Sequence, residues 1–240
     1  MCHLTHVTFT GVDDRTDLGR LKEIAGRYPF AEFGVLMARS GRGGENRFPD
    51  VQRVLKGLDG AGVRLSAHLC GALARDIVRT GDFSEFRLVC GIRSDLFSRC
   101  QLNVAGMGIK DPAWFLYFPT KIRQVIVQQS SREVFAEEGG SLYAHFASYN
   151  PLCSLLLDDS GGRGRRGTLR FADAPVVGYA GGIGPENVTE VLTEILAAEN
   201  VRDFWIDMET GVRTDDWFDL DKVEAVCAQV EQMLNGKNGS

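Results

Sequence analysis

Short β-rich runs alternate with helix-length segments along the whole 240-residue chain, and this alternation limits the fold more than any other feature. HVTFTG (6–11) reads as a strand. Asp17 is placed to cap the helix DLGRLKEIAGRY, whose Leu18, Leu21, Ile24 and Ala25 recur at helical spacing. EFGVLM (32–37) and VRLSAHL (63–69) are the next strands, separated by a helix over 51–62 that ends in glycine. ALARDIVRTG follows as a helix. The spacing then predicts a helical turn around 84–97 and strands at 100–106, 122–128, 153–159, 174–182 and 203–209. Single helices are expected from SREVFAEEGGSLYAHFAS, ENVTEVLTEILAAE and DLDKVEAVCAQVEQML.

Eight such units without a Pro/Ser-rich linker predict an α/β protein, a single (β/α)8 TIM barrel over residues 1–234, with 235–240 as a frayed tail. The competing architecture is an open doubly wound sheet. It is disfavoured because no Gly-rich fingerprint follows the first strand.

Composition excludes several functions. No apolar run approaches the ~18–20 residues of a membrane span, and MCHLTHVTFTG has no signal-peptide pattern. The six cysteines are scattered without a CxxC pair and read as reduced thiols of a cytoplasmic protein. A net charge of −5 argues against nucleic-acid binding. No strand end combines two His and a carboxylate at ligand spacing, so neither a metal nor another cofactor is expected. The expected partner is a small-molecule substrate, on a monomer or a homodimer.

Barrel active sites lie at the C-terminal ends of the strands. Those ends carry Thr10-Gly11, Arg39 to Arg47, His68, Asn103, Gln128, Asp158, Gly181-Gly182 and Glu209 to Gly211. In VVGYAGGIGPENV (176–188) a glycine pair stands where a buried strand hands over to a helix. Glycine permits a turn that other residues resist. It also lets backbone N–H groups approach an anion at a helix N-terminus.

At these positions the chain resembles phosphoribosylanthranilate isomerase, of the ribulose-phosphate-binding barrels. LLLDDSGGRG (155–164) resembles the family's LLLD and GGTG-type loop, AGGIGPENV (180–188) its AGGLNPENV, and IDMETGVR (206–213) its VDVSSGVE. More thinly, ARSGRGG (38–44) resembles its SPR loop and CQLNVAG (100–106) its VQLHG. The resemblance implies an Amadori-type rearrangement, with Asp158 as general acid, Arg42 against a substrate carboxylate and Asp207 against the substrate amine. It also implies that Gly181, Gly182, Thr210 and Gly211 hold a sugar phosphate. The family's base is the Cys of KICG; the matching segment here is TFTG, and the matching residue is Thr10. A hydroxyl does not titrate in the working range.

The residues themselves offer further candidates. Asp158 ends an apolar strand, where burial favours a protonated donor; the alternative is an Asp that caps the next turn. His68 has an ordinary pKa near working pH and is a candidate base. Cys70 would serve only with a lowered pKa. Arg47 shares a Gly-rich loop with Arg42 and is a candidate for carboxylate or phosphate binding. Asn103 and Gln128 could orient substrate hydroxyls or act structurally. Glu32 either faces the barrel interior and pairs with an arginine or lies at the bottom face and serves stability. Three functions fit these residues: the family isomerisation, another sugar-phosphate epimerase, lyase or isomerase, and ligand binding without turnover.

Overall fold

A computed structural model describes residues 3–39, 46–117, 122–135, 141–160, 169–172, 174–198 and 203–237. Eight strands pair in chain order and close into a barrel: β1 (His3–Thr10), β2 (Ala31–Met37), β3 (Leu65–Leu69), β4 (Phe97–Asn103), β5 (Gln124–Gln129), β6 (Cys153–Asp158), β7 (Val176–Ala180) and β8 (Asp203–Met208). Every neighbouring pair is parallel, and β8 returns to β1. The chain is a (β/α)8 barrel, as its alternating pattern predicts.

Several helices begin at a side-chain cap that the sequence supplies. Asp17 accepts from the N–H groups of Gly19 and Arg20 at the start of α1 (Leu18–Arg27), and Asp50 accepts from Arg53 N–H at α2 (Val51–Leu58). Next comes α3 (Gly71–Thr80), which stops at Gly81, a left-handed residue with φ 73°. After it come α4 (Ser84–Cys90), α5 (Ser131–Val134), α6 (Leu142–Ala147) and α7 (Val188–Ala197). A short hairpin, β9 (Arg213–Thr214) and β10 (Trp217–Phe218), turns through Asp215 and Asp216 at positive φ and leads into α8 (Leu220–Lys237).

Several boundaries differ from expectation. The helix predicted to reach residue 62 ends at Leu58. A 3-10 turn (Gly91–Leu96) follows α4, and β4 begins at Phe97 rather than residue 100. The single helix expected after β5 is two short ones, each restarted by a serine cap: Ser130 for α5 and Ser141 for α6. The last helix continues through Lys237, so residues 235–237 are helical rather than part of a tail. Among the described residues, no helix follows β4 or β6.

Alternation along each strand sorts the side chains. Val7, Phe9, Phe33, Val35, Val125, Val127, Leu155, Val177 and Phe204 belong to the large apolar core shared with helix residues such as Leu21, Val54, Ile77 and Val226. A second, small apolar cluster of Ile126, Leu156 and Trp205 fills the barrel itself. Gly178 leaves room for the Trp205 indole, into which a Cβ would project. Much of the remaining interior is polar: Thr8, Glu32, Ser66, His68, Arg99, Gln101 and Asp207 are all buried. Barrel interiors ordinarily carry bulky aliphatic residues. No helix among the described residues is long and apolar enough to cross a membrane.

Candidate active site

The C-terminal mouth of the barrel holds a cavity of about 290 Å³. Its walls are strand ends: Thr10 (β1), His68 and Cys70 (β3), Gln101 and Asn103 (β4), Gln128 (β5), Asp158 (β6), Ala180 to Gly182 (β7) and Asp207 to Gly211 (β8), with Arg47 and Phe48 entering from the loop after β2. Thr10, Arg47, His68, Asn103, Gln128, Asp158, Gly181, Gly182, Asp207, Thr210 and Gly211 are thus brought around one space. Arg42 and the Arg163, Arg165 and Arg166 run lie outside the described residues.

Three carboxylates line the cavity, Asp158, Asp207 and Glu209, and the first two are buried. The parallel register sets Asp158 beside Ala180 and Ala180 beside Asp207, so a single strand separates them. Adjacent strands lie ~4.8 Å apart, which places the two Cα atoms roughly 10 Å apart. One oxygen of Asp158 accepts from Ser160 N–H (2.9 Å) and Oγ–H (2.5 Å), and the other from Gln128 Nε2 (2.7 Å). Asp158 therefore caps its turn while lining the cavity, and Gln128 steadies it. Asp159 turns away, accepting from Ser131 at the start of α5 (backbone N–H, 2.5 Å).

Asp207 is 5% exposed, and burial pushes its carboxyl up to about 7. Hydrogen bonds from Thr10 Oγ1 (2.6 Å) and Gln101 Nε2 (3.4 Å) oppose that rise; the negative charges of Glu209 and Asp158 add to it. The sequence alone supplies no sign of this shift, because IDM reads as an ordinary buried strand end.

His68 does not meet the requirement for a base. Burial holds its ring down to about 3, so the imidazole is neutral in the working range. Ser66 Oγ stands 3.0 Å from Nε2, and Thr10 Oγ1 stands 3.3 Å from Nδ1. The Cys70 thiol is likewise pushed up to about 12 by burial, against a hydrogen bond from Asn103 Nδ2 at 3.2 Å, which makes it a poor nucleophile or base. Asn103 also accepts from Gln101 at 2.9 Å. Arg47 lines the cavity already paired, with Glu209 at 2.6 Å and Asp216 at 2.8 Å.

The glycine loops after β7 and β8 meet backbone to backbone. Gly181 and Gly182 adopt φ of 101° and 66°, where other residues are strained. A Cβ on Gly211 would run into the carbonyl oxygen of Ile183. Asn187 braces the loop, accepting from Gly184 N–H (3.0 Å) and donating to the Gly182 carbonyl (2.8 Å). Loops after strands seven and eight are the usual phosphate site of this fold. A buried arginine that sequence reasoning missed, Arg213, ties this end together, donating to the carbonyls of Gly11 (3.0 Å), Asn46 (3.1 Å) and Asp216 (2.7 Å). Ser66, Ser160 and Phe48 were also missed, since lone serines and a loop phenylalanine carry no motif. Among the described residues, no group of three or more His, Cys, Asp or Glu could hold a metal ion.

Solved structures match this barrel over nearly its whole length. Phosphoribosylanthranilate isomerase from Thermus thermophilus matches with a TM-score of 0.53 at 18% identity, covering 95% of this chain and 99% of that one. The isomerase from Pyrococcus furiosus gives 0.53 at 16% identity, covering 96% and 100%. The chain is similar to phosphoribosylanthranilate isomerase in fold. A truncated 3-deoxy-D-arabino-heptulosonate 7-phosphate synthase from Thermotoga maritima also matches, with a TM-score of 0.52 at 9% identity over 96% of this chain and 87% of that one. No protein-family model and no curated protein matches the chain. At these identities the likeness is one of fold, and chemistry must be argued from the cavity.

Proposed function

We propose that the chain is an isomerase of a phosphorylated ribose derivative, carrying out an Amadori-type aldose–ketose rearrangement by general acid–base catalysis. One observation carries this reading: two buried carboxylates, one of them held near neutrality, open on the same cavity as a glycine-built backbone cradle. The cradle of Gly181, Gly182, Thr210 and Gly211 receives the phosphate and fixes the sugar across β7. Asp158 gives a proton to the ring oxygen as the C1–O bond breaks, leaving a protonated imine at C1. Asp207 then takes the proton from C2, forming the enaminol that ketonises to product. A base with a pKa near 7 suits this step at neutral pH, because it is ionised yet still basic. In this scheme Asp207 does the work of the thiolate that Thr10 replaces.

A second substrate class is favoured by Arg47. It is the only arginine among the described cavity residues, and it is already committed to Glu209 and Asp216. That arrangement suits a sugar phosphate whose aglycone bears no carboxylate. The discriminating assay mixes the protein with fresh phosphoribosylanthranilate and follows loss of anthranilate-type fluorescence. Turnover abolished by Asp158→Asn and by Asp207→Asn establishes the proposed reaction. No turnover, with phosphate or a ribulose phosphate still raising the Tm, moves the reading to another sugar phosphate. Neither turnover nor stabilisation removes the phosphate cradle.

A further inference from the structure

We propose that Ser66, His68 and Thr10 form a one-way string of hydrogen-bond donors that ends on Asp207, with neutral His68 as a positioning residue in its Nδ1–H form. The role of Asp207 as proton acceptor rests on the isomerase reading; the string itself rests on geometry.

Direction follows from the end of the string. Thr10 Oγ1 has one hydrogen and gives it to Asp207 Oδ1 at 2.6 Å. The Nδ1 of His68, 3.3 Å from the same oxygen, can then interact favourably only by donating to its lone pair. With its proton on Nδ1, the ring presents a bare Nε2, which accepts from Ser66 Oγ–H at 3.0 Å. The second oxygen of Asp207 lies 3.9 Å from Nδ1, so Thr10 is the closer route. A threonine hydroxyl alone would rotate among acceptors. Once its lone pair is occupied from His68, its hydrogen is aimed at the carboxylate.

The strand order shows how this contact is made. Thr10 stands on β1 and His68 on β3, with β2 between them. Across β2 the facing residue is Gly34, paired with Thr10 on one side and Ser66 on the other. A Cβ on Gly34 would lie 2.7 Å from Thr10 Oγ1 and 2.8 Å from His68 Nε2. Gly34 has no positive φ, so its missing side chain serves space rather than backbone conformation. The gap lets two side chains on non-adjacent strands meet.

The charged surroundings give the string its purpose. Burial raises the Asp207 carboxyl most, and the charges of Glu209 beyond β8 and Asp158 on β6 raise it further. From below, Glu32 on β2 raises the His68 ring and Arg99 on β4 lowers it, both less than burial does. Thr10 and Gln101 are the side chains that lower Asp207, and of the two Thr10 is the closer. Without an oriented Thr10 hydroxyl, the carboxyl loses its nearest donor and holds its proton more strongly.

The test is NMR of the full-length protein, labelled with 15N in histidine and 13C in aspartate carboxyls, from pH 5 to 9. We expect His68 to remain neutral throughout, with the proton on Nδ1, the less common form of free imidazole. Thr10→Val should raise the Asp207 midpoint by about one pH unit and abolish the Nδ1–H preference, while Thr10→Ser restores both. Gly34→Ala should shift the midpoint the same way by forcing Thr10 and His68 apart, and it decides the matter if Thr10→Val does not fold. An imidazolium forming at His68 between pH 5 and 7, an Nε2–H wild-type ring, or an Asp207 midpoint unmoved by Thr10→Val would each overturn the proposal. Absence of turnover by wild-type protein would remove the isomerase reading alone, since these readouts do not use activity.

Discussion

Two of the barrel's buried carboxylates, Glu32 and Asp207, lie at different depths and behave in opposite ways. Near the N-terminal end, Glu32 accepts from Thr8 (3.0 Å) and Arg99 (2.8 Å). Arg99 also contacts His6, donates to Gln124 (2.6 Å) and stacks over Trp205 at 4.4 Å. At the mouth, Asp207 is just as hidden, but its donors are neutral. Burial alone would raise both acids. In the lower site the Arg99 guanidinium, helped by His6 and Thr8, overrides burial and holds Glu32 at about 2. Burial and the same guanidinium hold His6 at about 3, so nothing in the lower cluster changes charge near neutrality. Among the described residues no such cation pairs with Asp207, which is left at about 7. A buried cation thus separates a structural carboxylate from one suited to proton transfer.

Breaking the lower pair should have the largest effect. Arg99→Met strands Glu32 as an unpaired buried charge and should cost about 3–5 kcal/mol in urea unfolding at pH 7. Replacing both, with Glu32→Leu added, should recover much of that loss; a double variant no more stable than the single would show that the pair is not the cause. Next comes Asp207→Asn, for which turnover should fall about 10²–10⁴-fold. Its stability effect has a defined sign. The folded-state pKa of Asp207 lies above its unfolded value, so its protonation stabilises at low pH. That contribution fades as pH rises from about 4 to about 7. Asp207→Asn should therefore leave Tm unchanged at pH 4 and raise it by several degrees at pH 8. Glu32→Gln should show the reverse slope, costing stability above its unfolded pKa and nothing near pH 2.

Smaller effects sharpen the contrast at the mouth. Gly211→Ala must displace the Ile183 carbonyl and should weaken phosphate-dependent stabilisation without abolishing folding. Cys70→Ala should change turnover less than about threefold, since a thiol held near 12 takes no part in proton transfer. A large loss there would reopen Cys70 as a base.

The alternation of β-rich runs and helical spacing was enough to show the barrel, because outward strand residues and inward helix faces share one apolar core. Strand ends were legible too, since a parallel barrel sends every C-terminal end to the same rim. The ionisation states were not. His68 looks like a base in SAHLCG, but its burial and its two hydroxyl neighbours come from residues on other strands. Asp207 looks like a ligand-binding residue in IDMETG, and only closure of β8 onto β1 gives it Thr10 as a donor. In the sequence Glu32 fits either an interior partner of an arginine or a bottom-face stabiliser, and the structure joins both in one residue. Arg47 reads as a candidate for carboxylate or phosphate binding, while the partners it pairs with, Glu209 and Asp216, lie far along the chain.

The most direct test is a 13C titration of the Asp207 and Glu32 carboxyls in the same wild-type sample. The account predicts an Asp207 midpoint near 7, with Glu32 ionised down to about 2. An Asp207 that titrates near 4, as an ordinary aspartate does at about 3.9, would contradict it and leave the mouth of the barrel without its base.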